Sequence, residues 1–342
     1  MSVYGSSELG VDYLKYPSVV AKLDEFRSHD GYQIALGNDH YAVGQICLDH
    51  RLAWERAINA RPDSNTWKVL FLNGLAQHEN AEISVVVGAP FSQIDADFIA
   101  SIPKGEITLR MPNGKSRRKT ISEVRVLPEC AAHALAFREA YKGSALVMSL
   151  GFGTVELGAA EIKGGVIPES LHSITYGLHH CAPKLRAELK KLGYDPTHIR
   201  DNQYHYFDEL LKQIVEGDEE LVLRREGKEP LEVSDLAPIA ERVLTEYATG
   251  LIQQLAKYLS NFDRKMPIIL TGGGTMYKTL VKKLKVYLES QKYEVKLADE
   301  ELSILSAAIG YHIVAKELFG ASGVGIDVGN NTVITILKRS EK

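Results

Sequence analysis

The stretch that decides the fold lies near the C-terminus and reads as a strand, a tight turn and a second strand: Gly325-Ile326-Asp327-Val328-Gly329-Asn330-Asn331-Thr332-Val333-Ile334. Apolar residues lead into an acidic residue, a glycine and two asparagines, and a β-branched run follows. Glycine and asparagine tolerate the unusual dihedrals of tight turns. Backbone N–H groups in such a turn can converge on an anion, and an adjacent Asp can hold the waters of a magnesium ion. Most turns of this kind only connect strands, so the rest of the chain decides its meaning.

The composition is that of a soluble globular protein, with 342 residues, 45% of them hydrophobic and 25% charged, which suffices for two domains. A net charge of −4 argues against tight, non-specific nucleic-acid binding. The three cysteines lack metal-ligand spacing and are typical of reduced thiols. The sequence shows neither a signal peptide nor an apolar segment that we judge long enough to span a bilayer. We therefore expect a cytoplasmic protein.

Two further glycine-rich turns follow apolar segments. Residues 149–156 come after a predicted strand at residues 145–149, and residues 271–275 follow one at residues 267–270. Either turn alone could be a simple corner, and none of the three has the G-x-G-x-x-G spacing that opens the helix of a dinucleotide-binding fold. Because all three follow apolar strands, we favour two hairpins that clamp phosphates from opposite sides. The triple glycine would let a purine and ribose approach the backbone.

Together the turns resemble the motifs of the actin-like ATPase superfamily, and in particular the plasmid-segregating actins of the ParM and Alp type. Residues 327–331 resemble the first phosphate motif, residues 149–156 the second and residues 268–274 the adenosine motif. The resemblance covers nearly the whole chain and implies that Asp327 binds Mg²⁺, through water. The residues that it places around the nucleotide are Asp327, Gly329, Asn330, Asn331, Thr332, Ser149, Gly151, Phe152, Gly153, Thr154, Glu156, Gly177, Gly272, Gly273 and Gly274.

The resemblance also gives Glu129 a catalytic role, because residues 126–129 resemble the segment that carries the water-positioning acid of the ParM branch. A Glu directly after Pro128, in the first turn of a helix, also interacts favourably with the helix dipole and often does nothing more. We predict this helix through about residue 141. Since it precedes the second phosphate hairpin, as in the family, we favour the catalytic role.

The order of the motifs differs from that of the family, where the first phosphate motif begins the chain. Here it follows the helix that ends the family's chain, so the sequence looks circularly permuted. Permutation requires neighbouring original termini and tolerates new ends in exposed loops. Residues 319–323 would join the original ends, with a reach of roughly 17 Å. We therefore predict that residues 324–337 form two adjacent central strands in the sheet that also holds residues 82–87.

Three positions depart from the family pattern. Ser149 and Glu156 stand where the second phosphate motif usually has Asp, and the lysine often found after the first motif is missing, with Ile334 nearest to its place. Loss of the Asp at Ser149 removes a contact in the outer shell of the magnesium ion, which favours slow hydrolysis.

We thus predict an α/β, actin-like (ribonuclease H-like) ATPase fold of two halves that close on a nucleotide, each with a mixed five-stranded sheet. Residues 11–144 plus 304–342 would form one half, and residues 145–303 the other. The resemblance implies binding of ATP and Mg²⁺, self-assembly into filaments, slow ATP hydrolysis and segregation of plasmid DNA. Contact with DNA would run through a separate adaptor protein, without direct DNA or membrane binding.

Two alternatives stay open. A small-molecule kinase of the same superfamily would need an acceptor pocket and a catalytic Asp near the second hairpin, where this chain has Ser149. A non-filament ATPase adaptor or chaperone would use the same nucleotide motifs without self-assembly. A pelleting assay with and without ATP separates these functions.

Overall fold

A computed structural model of the chain describes residues 3–6, 10–26, 32–50, 52–58, 60–110, 115–138, 143–161, 165–166, 170–196 and 205–339. The strands in this part are β1 (Val3–Ser6), β2 (Val11–Pro17), β3 (Val19–Leu23), β4 (Tyr32–Leu36), β5 (Asp39–Val43), β6 (Trp54–Arg56), β7 (Glu82–Ala89), β8 (Gly105–Arg110), β9 (Ser116–Pro128), β10 (Ser144–Leu150), β11 (Val155–Glu161), β12 (Gly165–Val166), β13 (His172–Ile174), β14 (Val222–Arg225), β15 (Lys228–Glu232), β16 (Ile268–Thr271), β17 (Val295–Leu297), β18 (Gly323–Val328) and β19 (Thr332–Arg339). The helices are α1 (Gln45–Asp49), α2 (Asn65–Ala76), α3 (Ala96–Ser101), α4 (Glu129–Ala136), α5 (Cys181–Lys191), α6 (His205–Glu216), α7 (Val233–Leu259), α8 (Lys278–Ser290) and α9 (Glu300–Phe319).

The C-terminal hairpin lies inside the larger sheet, whose strand order is β1-β2-β19-β18-β7-β9-β8-β4-β5-β3-β6. Strand β18 runs parallel to β7, with Ile326 opposite Val87, and antiparallel to β19. Apolar side chains of both hairpin strands are almost fully buried. The prediction of two adjacent central strands beside residues 82–87 is therefore confirmed.

The prediction of two five-stranded sheets was wrong in strand number. Among the described residues the larger sheet has eleven strands, because the long strand β9 pairs with β7 through residues 120–128 and with β8 through residues 116–121. A second set of antiparallel strands thereby continues the sheet. The smaller sheet has six strands in all, ordered β12-β11-β10-β16-β17 with β13 also paired to β11.

Helix α9 joins the two sheets. Its apolar residues share one core with Val147 and Ile269 of the smaller sheet and with Ile334 of the larger one. The contacts are so close that a Cβ added at Gly310 would lie 2.0 Å from the Ala132 carbonyl oxygen of α4. By length and composition, Glu300–Ser322 is apolar enough to cross a membrane, contrary to our expectation, but 67% of its most apolar window is buried.

Several local predictions can be compared with the structure. The helix expected to extend to about residue 141 ends at Ala136, within the described part of the chain. The Gly-Asn-Asp sequence at residues 37–39 predicts a hairpin, and residues 32–36 and 39–43 do form one. The sequence also predicts a hairpin turn at Asn113-Gly114, and these two residues lie outside the described part of the chain.

Candidate functional site

The three glycine turns border one cleft of about 720 Å³. Two of them lie side by side because β10 and β16 are parallel neighbours, with Ser149 opposite Thr271, so both strands end at the same edge of the sheet. The third turn joins β18 to β19 in the larger sheet. The cleft volume falls in the range of small-molecule and cofactor sites.

The two hairpins touch each other across the cleft. A Cβ added at Gly153 would lie 2.4 Å from Nδ2 of Asn330, so a larger residue at position 153 would displace the Asn330 side chain. Each hairpin is closed by a backbone hydrogen bond: Gly151 N–H donates to the Thr154 carbonyl at 2.9 Å, and Gly329 N–H donates to the Thr332 carbonyl at 3.0 Å. Two backbone turns therefore face one narrow space.

The three glycines at residues 272–274 leave an accessible backbone surface beside the hairpins. Gly272 has a φ of +86°, which favours glycine, and an added Cβ there would lie 2.8 Å from both the Leu150 carbonyl oxygen and Ser149 Oγ. An added Cβ at Gly273 would meet nothing within 4 Å. The backbone at Gly273 is thus free of protein contacts on its Cβ side and can receive a flat ligand.

Three carboxyl groups lie close together behind and beneath the hairpins. Burial raises the pKa of Asp327 to about 7. Burial, and next the charges of Glu156 and Asp327, raise the pKa of Glu129 well above its usual range. Burial likewise raises the pKa of Glu156 to about 7, although hydrogen bonds from Ser173 and other donors oppose it. A cation entering the cleft would relieve this crowding of negative charge.

The donor set fits a magnesium ion held mainly by water and phosphate. No group of three or more metal-ligating side chains occurs among the described residues. Mg²⁺ keeps several waters and is usually bound by one or two carboxylates together with substrate phosphates. Asp327, which lines the cleft, can supply such a carboxylate.

The structure brings most of the predicted site residues to the surface of this cleft. Those that line it are Glu129, Ser149, Gly151, Phe152, Gly153, Thr154, Gly272, Gly273, Gly274, Asp327, Gly329, Asn330, Asn331 and Thr332.

Glu156 and Gly177 instead lie behind the β10–β11 hairpin. The Glu156 side chain is 1% exposed and accepts hydrogen bonds from the Ser173 hydroxyl and, at 3.3 Å, from the Phe91 N–H. Gly177 N–H donates to the Gly153 carbonyl at 3.2 Å, and an added Cβ would lie 2.2 Å from the Phe152 carbonyl oxygen. Neither residue lines the cleft. The buried, hydrogen-bonded Glu156 side chain and the closely packed Gly177 backbone instead support the hairpin from behind.

A buried ion pair lies beside the cleft and was not identified from the sequence. Nη1 of Arg56, in the predicted first half, lies 3.0 Å from Oδ2 of Asp208, in the predicted second half, and both side chains are buried. The Arg56 guanidinium also stacks 5.0 Å from the Phe152 ring centroid. Asp208 and Phe152 both line the cleft. We call Arg56, Asp208 and Phe152 the clasp.

Two lysines that the sequence did not single out also line the cleft. Lys15 lies on β2, and Lys212 lies on α6. Nothing in the local sequence of either lysine marks it, because only strand pairing and helix packing bring them to the site.

Comparisons with known proteins agree with this architecture. Residues 4–131 match the family model for the N-terminal domain of actin-like proteins. No curated protein sequence matches the chain. The structure is similar to Ta0583, an archaeal actin homolog, at 15% identity and a TM-score of 0.67, over 90% of this chain and 98% of that one.

Two further solved structures are similar over most of their length. Bacillus thuringiensis ParM with ATP matches at 14% identity and a TM-score of 0.58, over 91% of this chain and 96% of that one. The Alp12 filament structure matches at 13% identity and a TM-score of 0.52, over 89% and 90%. The chain therefore has the actin-like fold, and the fold class predicted from the sequence is confirmed.

Proposed function

We propose that this protein binds ATP with Mg²⁺ in the cleft and assembles with copies of itself into filaments, which slow ATP hydrolysis then destabilises. The observation that carries the proposal is the meeting of the three glycine turns and Asp327 around one cleft of about 720 Å³. Similarity to ParM with ATP and to the Alp12 filament supports it.

The two hairpins would hold the phosphates through their backbone N–H groups. Because Gly153 lies close to Asn330, the backbones of both turns face the same narrow space and can approach an anion from both sides. Asp327 would hold Mg²⁺ through water, and the ion would neutralise the charge of the phosphates. Gly272, Gly273 and Gly274 would border the ribose and base, where the open side of Gly273 accepts a flat ring.

Glu129 would orient the attacking water. Its carboxyl lines the cleft at the start of α4, and burial, followed by the charges of Glu156 and Asp327, raises its pKa. Positive charge brought by Mg²⁺ would oppose this rise in pKa and favour the ionised carboxylate that orients a water. Ser149 replaces an acid that the resemblance leads us to expect, and its small hydroxyl supports a slow reaction.

In the cell, we propose that the filaments move or separate plasmid DNA through an adaptor protein in the cytoplasm. The net charge of −4 agrees with the absence of direct DNA contact.

We also propose that the chain is a circular permutation of the actin-like order. Two observations support this order: the C-terminal hairpin lies between β2 and β7 in the interior of the sheet, and residues 4–131 match the N-terminal domain model. Arg339 is paired with Val11, so a short glycine-serine linker from residue 342 to residue 10 can close a hairpin. A variant that begins with residues 320–342 and continues through the linker to residues 10–319 should stay folded. Loss of cooperative melting in this variant would contradict the proposed order. The half boundaries, 11–144 plus 304–342 and 145–303, belong to the same proposal.

Calorimetry with ATP and MgCl₂ tests nucleotide binding. The wild-type protein should bind ATP more tightly with Mg²⁺ than with EDTA, and Asp327→Ala should lose this difference while keeping a native circular dichroism spectrum. Equal affinity in the folded variant would remove Asp327 from the site. Lack of ATP binding by the wild-type protein would overturn the proposed function.

A further inference from the structure

We propose that Lys15 is a phosphate-binding residue of the cleft, supplied by a strand distant in sequence from the glycine turns. The inference deepens the proposed function and rests on it. It concerns the phosphate chain of the nucleotide, because a lysine ammonium is a compact charge that recognises phosphate oxygens as a point charge.

The register of the larger sheet places Lys15 in one row with the magnesium-side acid. Asp327 on β18 is paired with Ile334 on β19, and Ile334 is paired with Lys15 on β2. Directly paired residues point to the same face of a sheet. With strands about 4.8 Å apart, Lys15 and Asp327 start about 10 Å from each other, on either side of Ile334. All three residues line the cleft.

The environment of Lys15 lacks the negative partner that a half-buried ammonium needs. No hydrogen bond or ion pair of its ammonium occurs among the described residues. Burial, and next the like charge of Lys212, lower its pKa. Lys212 itself has a carboxylate 3.9 Å away, on Glu216, so the two lysines differ in this respect. An anion in the cleft would satisfy the Lys15 ammonium.

A structural role alone does not account for this placement. The Lys15 stem can cover Ile334, but methionine would do so equally well without a buried charge. Partial burial of the Lys15 ammonium costs free energy, and an anion bound in the cleft would offset that cost. A Mg²⁺-bound polyphosphate reaching from Asp327 across Ile334 would supply that anion.

The test compares nucleotides that differ in phosphate number. In Lys15→Met, the affinity for ATP and ADP with Mg²⁺ should fall at least tenfold by calorimetry, while the affinity for adenosine changes less than twofold. Lys15→Arg should keep ATP affinity within about threefold of wild type. Lys22→Met is the matched control, because Lys22 pairs with Asp39 on the surface at 2.8 Å, and it should bind all three ligands normally.

A second measurement uses the unaltered protein and does not depend on a variant that folds. An amine-reactive ester at neutral pH should label Lys15, and ATP with Mg²⁺ should protect it whereas adenosine should not, as read by peptide mass spectrometry. Unchanged ATP affinity in Lys15→Met, or an equal loss for adenosine, would overturn the assignment of Lys15. If the wild-type protein binds ATP, such a result leaves the proposed function standing; if it binds no nucleotide, both fail.

Discussion

Replacing Arg56 with methionine should speed dissociation of bound nucleotide by about 30-fold. Nη1 of Arg56 lies 3.0 Å from Oδ2 of Asp208, and both side chains are less than a tenth exposed. The pair joins the two predicted halves, and Asp208 also lines the cleft. If nucleotide leaves only when the halves separate, weakening the clasp raises the population of the open state and the dissociation rate together.

The magnitude follows from the burial of the pair. Removing one partner of a buried ion pair costs about 3–5 kcal/mol, since a charge is left without its counterion. Asp208 can reduce this cost by taking up a proton, because burial raises its pKa to about 7 even beside Arg56. We therefore expect closure of the two halves to become less favourable by about 2 kcal/mol. This corresponds to a nucleotide dissociation rate that is about 30-fold higher.

The assay is a chase of a preloaded fluorescent ATP analogue with excess ATP, followed by stopped flow. Asp208→Asn should show a similar acceleration, and the double variant should be no faster than either single variant, since the two side chains act as one unit. The Lys22–Asp39 pair offers the control. Its side chains are 66% and 45% exposed, so breaking the pair should leave the nucleotide dissociation rate unchanged. A wild-type rate in Arg56→Met would refute the clasp.

Three further predictions follow from the cleft and the hairpin. Burial raises the pKa of Asp327 to about 7, and Mg²⁺ prefers the ionised carboxylate. The affinity for ATP with Mg²⁺ should therefore rise about tenfold from pH 6 to pH 8 and level off above pH 8. Calorimetry across this range should show no such trend in Asp327→Asn. Glu129→Ala should release phosphate at least about tenfold more slowly, which corresponds to a barrier higher by roughly 1.4 kcal/mol, and should still pellet with ATP. Phosphate release at the wild-type rate would leave Glu129 with only its interaction with the helix dipole. Deleting residues 320–342 should give insoluble or molten protein because it unpairs the centre of the sheet, and a soluble, cooperatively melting truncation would contradict that.

The sequence was most informative where local chemistry decides the structure. Glycine and asparagine between apolar runs located the β18–β19 turn, and the apolar run at residues 82–87 located a buried strand. The resemblance then grouped turns far apart in the chain, and the structure places them around one cleft.

Features set by tertiary packing were outside the reach of local patterns. Lys15 faces Ile334 only through strand pairing, and Arg56 meets Asp208 across 152 positions of sequence. Val3–Ser6 pairs with β2, because the free edge of that strand accepts another strand. A free sheet edge is formed by backbone groups, which are the same in nearly every residue, so the amino-acid sequence does not identify it.

High-speed pelleting of the wild-type protein, with ATP and Mg²⁺, with ADP and Mg²⁺, and without nucleotide, tests the central claim most directly. We expect protein in the pellet above a critical concentration with ATP, filaments in that pellet by electron microscopy, and far less polymer with ADP or without nucleotide. Protein that binds ATP but stays in the supernatant at every concentration would contradict filament assembly and favour a non-filament ATPase or a small-molecule kinase of the same fold.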